Sequence, residues 1–262
     1  HILENLDSYP ILIPTDNDIA EFYKLIDRAL NDKLIFIADP ILDPISYGFT
    51  DSLVRYVNLR KKYPDIHIMM GLGNITELTH ADTSGINMIM LGIIEELKLN
   101  HILTTQVSRH CSTVIRETDL ARRIIHAASE NNLTPKHIND GLLVHHGHKD
   151  YAFCSDELIE MQRNIKDKNY RIYVNDDGIH LFNKNVYKIF SDPFDFYEYL
   201  DVSDDPGHAF YLGVELAKAQ IAHQLQKEYQ QDEELSWGCL VDKKVDNKLQ
   251  TKELGPTFKR RK

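Results

Sequence analysis

The residues best suited to chemistry in this 262-residue chain cluster just after four short apolar, β-branched runs. After Leu34 to Ala38 the sequence reads Asp39-Pro40, and the pair recurs as Asp43-Pro44. A carboxylate there offers two coplanar acceptors to a ligand edge carrying adjacent N–H donors, as a 2-amino-4-oxo-pyrimidine does. Either aspartate could instead cap the next turn. The run His67 to Met70 leads into Gly71-Leu72-Gly73-Asn74. The two glycines permit close backbone approach to a ligand, and the Asn74 amide can both donate and accept. Beyond it come Thr76, His80, and the group Asp82, Thr83 and Ser84, which suits a helix N-cap. The fourth run, Ile102 to Thr105, brings Thr104, Thr105, Gln106, Ser108 and Arg109. Hydroxyls beside a guanidinium suit a phosphate or the second substrate, although Arg109 reads equally well as a solvated surface residue.

Elements that would position these residues follow from the apolar pattern. The runs Pro10 to Pro14, Leu34 to Ala38, His67 to Met70 and Ile102 to Thr105 lack polar alternation, as strands buried on both faces do. An amphipathic helix follows each. The first is capped by Asp18, with Glu21 placed to complete a capping box, and presents Ile19, Phe22, Leu25, Ile26 and Leu30. The others run from near Thr50 to before Pro64, from about Ser84 to Leu97, and from about Thr118 to Ala128, the second presenting Leu53, Val54, Val57 and Leu59. Strand starts about thirty residues apart match a (β/α) barrel, in which ~250 residues make eight units. Four units are half a barrel. A doubly wound sheet would carry a glycine-rich turn after its first strand, where this chain has PTDND.

Composition narrows the classes of function. With 42% apolar residues the chain can bury one large core or two modest ones. No run approaches the ~20 apolar residues of a membrane span, and HILENLDSYP is unlike a secretory signal, so the expectation is a cytoplasmic protein. The chain starts at His1, as a portion of a longer protein would. A formal charge of -10 disfavours nucleic acid; the basic cluster Lys259 to Lys262 is a short tail. Cys111, Cys154 and Cys239 are too dispersed for a disulfide framework or a zinc knuckle. His145, His146 and His148 lack a carboxylate at ligand spacing, so no metal site is expected there.

Past Ala128 the chain turns polar. The expected organisation is an α/β barrel half over 1–135, a linker over 136–155, a small α+β domain over 156–240 and a polar, basic tail over 241–262. The α+β domain holds a helix at Asp156 to Asp167 and strands at Tyr170 to Val174, Ile179 to Phe182 and Val186 to Phe190. Asp176, Asp177 and Gly178 form the hairpin turn. A helix after Gly207 is expected to bury Phe210, Val214, Ala217, Ile221 and Leu225, while His208 and Trp237 read as packing or capping residues.

The segments IADPILDPISYGF and GLGNITELTHADTSGINMIMLGIIEELKLNHILTTQ, with DPGHAFYLGVELAKAQIAHQLQKEYQQDEELSWGCLV further on, resemble the archaeal and methylotroph dihydropteroate synthase-related proteins. The barrel part of the likeness covers about Ile11 to Ala128. It implies units five to eight of a pterin-binding (β/α) barrel, a superfamily that includes methyltetrahydrofolate to corrinoid methyltransferases. It assigns Asp39, Asn74, Asp43, Gly71 and Gly73 to the pterin, and it implies a transferase joining a dihydropterin methyl diphosphate to an arylamine. Mg2+ would serve the diphosphate. An N-terminal barrel half or a partner chain would be required, and a homodimer is open. Where bacterial synthases carry a lysine-bearing segment and an Arg-x-His, this chain has GLGNIT and TTQ. That departure points to a modified arylamine of the methanopterin type, or to methyl transfer or noncatalytic pterin binding.

Overall fold

A computed structural model describes residues 9–16 and 18–242; His1, the Lys259 to Lys262 cluster and all of the expected tail beyond Asp242 lie outside these. The chain is an α/β protein that divides into two compact units, one ending at Leu142 and one beginning at Leu143.

In the first unit, β1 (Ile11–Leu12), β2 (Ile37–Ala38), β3 (His67–Gly71) and β4 (His101–Leu103) form a parallel sheet in sequence order. The register aligns Ile11 with Ile37 and His67, and Met69 with His101. The connecting helices are α1 (Ile19–Asn31), α2 (Phe49–Lys62), a single turn α3 (Gly73–Thr76), α4 (Thr83–Glu96) and, after β4, α5 (Val114–Glu130). Side chains alternate across a strand, so Leu12, Ala38, Ile68 and Met70 face one way. They enter a core with Phe22 and Ile26 of α1, Tyr56 and Leu59 of α2, and Met90, Leu91 and Ile94 of α4. The opposite sheet face carries Ile11, Ile13, Ile35 and Leu103, all about half exposed or more. β3 is buried on both faces as expected, Met69 on this side being 8% exposed, whereas the flanking strands expose this face, on which His67 and His101 also lie, 3.0 Å apart.

Asp18 caps α1 by accepting the Glu21 N–H at 3.0 Å, while the Glu21 carboxylate pairs with Lys24 instead of completing a box. Leu25 and Leu30 of the expected stripe are exposed, and Ala29 takes the buried position; on α2, Val54 is likewise exposed. At the α4–α5 contact the Glu117 carboxylate is buried and accepts from Thr83, Asn87 and Thr113. Thr83 is thus committed to helix pairing, and Asp82 is the N-cap residue of α4.

The second unit holds α6 (Ser155–Arg163), an antiparallel sheet of β5 (Arg171–Asn175), β6 (Gly178–Phe182) and β7 (Tyr187–Phe190), and α7 (Pro206–Leu225). Gly178 takes φ 139° in the tight β5–β6 turn, a conformation that glycine adopts freely. Ile172, Val174, Ile179 and Leu181 pack with Leu212, Leu216, Ala219 and Ala222 of α7. The face of α7 expected to be buried is therefore the outer one: Phe210, Val214 and Ile221 are exposed. The expected linker also divides. Leu142 packs on the first core, whereas Val144 is buried and its carbonyl accepts from the buried Lys227 ammonium of the second unit. Lys227 also donates to the Ser236 carbonyl and lies 4.6 Å from the Trp237 ring centroid. No helix among the described residues is long and apolar enough to cross a membrane.

Candidate functional site

β2 delivers Asp39 to its carboxyl end, where the chain turns at Pro40 and the side chain is 8% exposed. Asp39 Oδ1 accepts two hydrogen bonds, from the Ile41 N–H at 2.8 Å and from the Tyr56 hydroxyl at 2.8 Å. Burial raises the Asp39 carboxyl above the ordinary aspartate range, and those two bonds oppose the shift. The Tyr56 hydroxyl is itself pushed up by burial and by Asp39. A fully buried helix residue thus reaches the tip of β2.

The loop after β2 is braced from three sides. Ile41 adopts φ 63°, a left-handed conformation uncommon for a β-branched residue and worth on the order of 1–3 kcal/mol of strain. Its N–H is held by Asp39 and its carbonyl accepts from Arg55 at 2.8 Å. Arg55 also donates to the Pro40 carbonyl and to Asp43 Oδ2 at 2.7 Å, a largely buried ion pair. Asp43 is thereby a loop-bracing residue, and of the two aspartates Asp39 is the one with no cation beside it. Asn74, on α3, donates its amide to the Leu42 carbonyl at 2.8 Å. Asp39 and the exposed Asn74 are therefore connected through the strained loop, Asp39 on Ile41 and Asn74 on Leu42.

Gly71 has open space where a Cβ would stand, whereas a Cβ on Gly73 would lie 2.7 Å from the Thr105 hydroxyl. A side chain at Gly73 would thus force the Thr105 hydroxyl to move.

The fourth strand end has a different occupant from the one expected. Glu77 accepts the Val107 and Ser108 backbone N–H groups at 2.8 and 2.9 Å. The Ser108 hydroxyl foremost, with those amides and the Thr105 hydroxyl, holds the Glu77 carboxyl down at about 2. The donors that suit a phosphate are here satisfied by the chain's own carboxylate. Arg109, exposed in a 3-10 turn with His110 and Cys111, does not join them, and the Thr104 hydroxyl is buried with no partner among the described residues. Behind the turn, His110 and Cys111 contact the Thr76 carbonyl, and burial beside Glu77 pushes the Cys111 thiol up to about 11.

Among the described residues no group of three or more His, Cys, Asp or Glu could hold a metal ion. At the strand ends Asp43 is paired to Arg55 and Glu77 is seated on amides.

Two clefts mark the second unit. One of about 600 Å3 is lined by His148, Asp150, Cys154, Ser155, Asn175 and Asp177, and a smaller one of about 280 Å3 by Lys168, Tyr170, Asn183, Tyr199, Asp201 and His208. In the first, Ser155 donates to Asp177 and receives the Asn175 amide, and the buried His180 bonds Asn175 and Tyr187. His146 is engaged at the end of α7, on the Leu225 carbonyl.

Sequence reasoning missed Tyr56, Arg55 and Glu77. Tyr56 looked like any helix aromatic, and an arginine and a glutamate give no local sign of distant carbonyls and amides.

The class established by these observations is an α/β protein with a parallel four-stranded unit and an antiparallel α+β unit. The chain is 32% identical over 241 residues to the uncharacterized protein MJ0107 of Methanocaldococcus jannaschii, an alignment covering 81% of this chain and 44% of that protein. It thus spans less than half the length of that relative. No family model and no solved structure matches.

Proposed function

We propose that the first unit is the second half of a pterin-binding (β/α) barrel, and that the complete protein is a dihydropteroate synthase-like transferase of folate or methanopterin-type cofactor biosynthesis. The observation that carries the reading is Asp39. Its carboxylate is withdrawn from water at the end of a parallel strand with no cation beside it, although burial opposes its charge. A ligand with paired N–H donors, such as the 2-amino-4-oxo edge of a pterin, supplies what Asp39 Oδ2 lacks. Asn74, exposed beyond the neighbouring strand, uses its Nδ2 on Leu42, and its Oδ1 would serve the same ring.

The barrel reading is supported by four parallel strands in sequence order and by the apolar sheet face turned away from the helices. Barrel strands fill their interior with such residues, and further β/α units are needed to cover them. The length of the relative leaves room for those units.

In the proposed reaction the arylamine nitrogen attacks the pterin methylene carbon. The C–N bond forms as the C–O bond breaks, diphosphate departs with the electron pair, and the amine proton passes to solvent. Asp39 and Asn74 orient the ring, and Thr104, Thr105, Ser108 and Arg109 are the candidates for the departing anion or second substrate, which would have to displace Glu77 from the Val107 and Ser108 amides. Glu77 on the Val107 and Ser108 amides favours a second reading, in which a pterin binds without a diphosphate. That reading covers methyl transfer to a corrinoid partner and noncatalytic pterin binding.

Calorimetry and turnover assays on the full-length protein separate these. Dihydropterin methyl diphosphate should bind, and with an arylamine should release diphosphate, and Asp39→Asn should abolish both. Binding of methylpterin alone, with no diphosphate dependence, would select the second reading. Equal pterin affinity in wild type and Asp39→Asn would remove the site assignment from both.

A further inference from the structure

We propose that Tyr56 is a positioning residue: by donating its hydroxyl to Asp39 Oδ1 it fixes the carboxylate so that Oδ2 is the oxygen a ligand meets. The role at a ligand rests on the pterin-site reading, whereas the effect on Asp39 itself does not.

The geometry is a pair of donors on one oxygen. The Tyr56 O–H bonds Asp39 Oδ1 at 2.8 Å. The same oxygen takes the Ile41 N–H at 2.8 Å. Two donors on one oxygen hold the carboxylate plane, because tilting it away would break both bonds at once, and they leave the other oxygen for a ligand. No donor among the described residues takes Oδ2. The tyrosine is fully buried, so its hydroxyl cannot exchange Asp39 for water without unpacking α2.

The ring alone would fill the core as phenylalanine does; the hydroxyl is the part that reaches the strand end. Nearby charges do not substitute for it. Arg55 of α2 and Asp43 of the loop neutralise each other at 2.7 Å, and neither bonds the Asp39 carboxylate. The hydroxyl also supports the charged form of Asp39 against the cost of burial. Its removal should make ionisation harder and shift any ionisation-dependent binding to higher pH.

The test uses the full-length protein and Tyr56→Phe. Without ligand, the Asp39 carboxyl is titrated by carbon-detected NMR, and its midpoint should move to higher pH in the variant. An unchanged midpoint overturns the proposal. With dihydropterin, calorimetry across pH should show affinity at pH 7 reduced by about tenfold, with the binding profile displaced in the same direction as the titration. A loss of affinity in Tyr56→Phe with no displacement of the binding profile along pH would assign the hydroxyl to general packing and overturn the proposal. If wild type fails to bind dihydropterin, the pterin reading falls and the titration still decides the effect of Tyr56 on Asp39. Should Tyr56→Phe not fold, 3-fluorotyrosine incorporation gives a more acidic phenol at full packing. The Asp39 midpoint must then move to lower pH, and a static one overturns the claim.

Discussion

Asp39 is held by two hydrogen bonds to one oxygen and by no cation, so its charged form is disfavoured in the fold relative to water. Its folded value is raised, so the unfolded chain ionises first as pH rises from about 4. The carboxyl therefore favours the fold least at neutral pH and imposes no such penalty below its unfolded value. Asn at this position keeps an acceptor for Ile41 and Tyr56 and removes the charge. Asp39→Asn should consequently melt at a higher temperature than wild type at pH 7, and the difference should vanish near pH 3; thermal denaturation at the two pH values measures it. A variant less stable than wild type at pH 7 would mean that the charge itself is a structural asset. The sequence exposed Asp39 and Asn74 because each stands directly beside an apolar run. It concealed Tyr56, 17 residues away on a helix, and Glu77, whose amide partners lie 30 and 31 residues on, because hydrogen bonds across a fold leave no local pattern. Glu77 also shows that a nest of amides and hydroxyls can be legible as an anion site while its anion comes from the same chain.

At the level of elements, all four parallel strands and their main helices were readable from apolar runs and caps, but which helix face lies inward was read less well. α7 explains why. Phe210, Val214, Ala217 and Ile221 form one apolar stripe and Leu212, Leu216, Ala219 and Ala222 another, so periodicity offers two faces and composition cannot choose. The buried polar groups make the choice: Glu215 accepts from Tyr229 and Lys218, which ties the inner face to the following segment. Leu212→Ala should then cost about 2–5 kcal/mol of second-unit stability, as expected for a cavity in a packed core. Phe210→Ala, at 76% exposure, should stay within about 0.5 kcal/mol. Urea unfolding followed by the fluorescence of Trp237, the chain's one tryptophan, reports on this unit. A reversed order of the two effects would show that the outer stripe is the covered one. The polar stretch before α6 misled in a related way, since its composition suits a linker while Val144 and Lys227 clasp it to the second unit.

For the molecule as a whole, the open question is what lies over the sheet face bearing Ile11, Ile13, Ile35 and Leu103. That face also carries His67, His101 and the buried Met69, and its exposed isoleucines and Leu103 leave part of the sheet's burial outstanding. The alternation that marks this face was hidden in the sequence, because Ile35-Phe36-Ile37 reads as continuous apolar chain whether or not its two faces meet the same surroundings. A lysine at an exposed position ordinarily changes stability by no more than about 0.5 kcal/mol, whereas one forced into an apolar interior costs several-fold more. Ile35 is 68% exposed and Val54, on α2, is 51% exposed, so the isolated chain treats them alike. The proposed barrel would separate them in the full-length protein, with Ile35 turned inward and Val54 on the outer helical layer. Ile35→Lys should then destabilise the full-length protein by more than about 2 kcal/mol in chemical denaturation, and Val54→Lys should remain near neutral. If both substitutions are tolerated equally in the full-length protein, the sheet face is open to water and the barrel reading fails, whatever the pterin assays return.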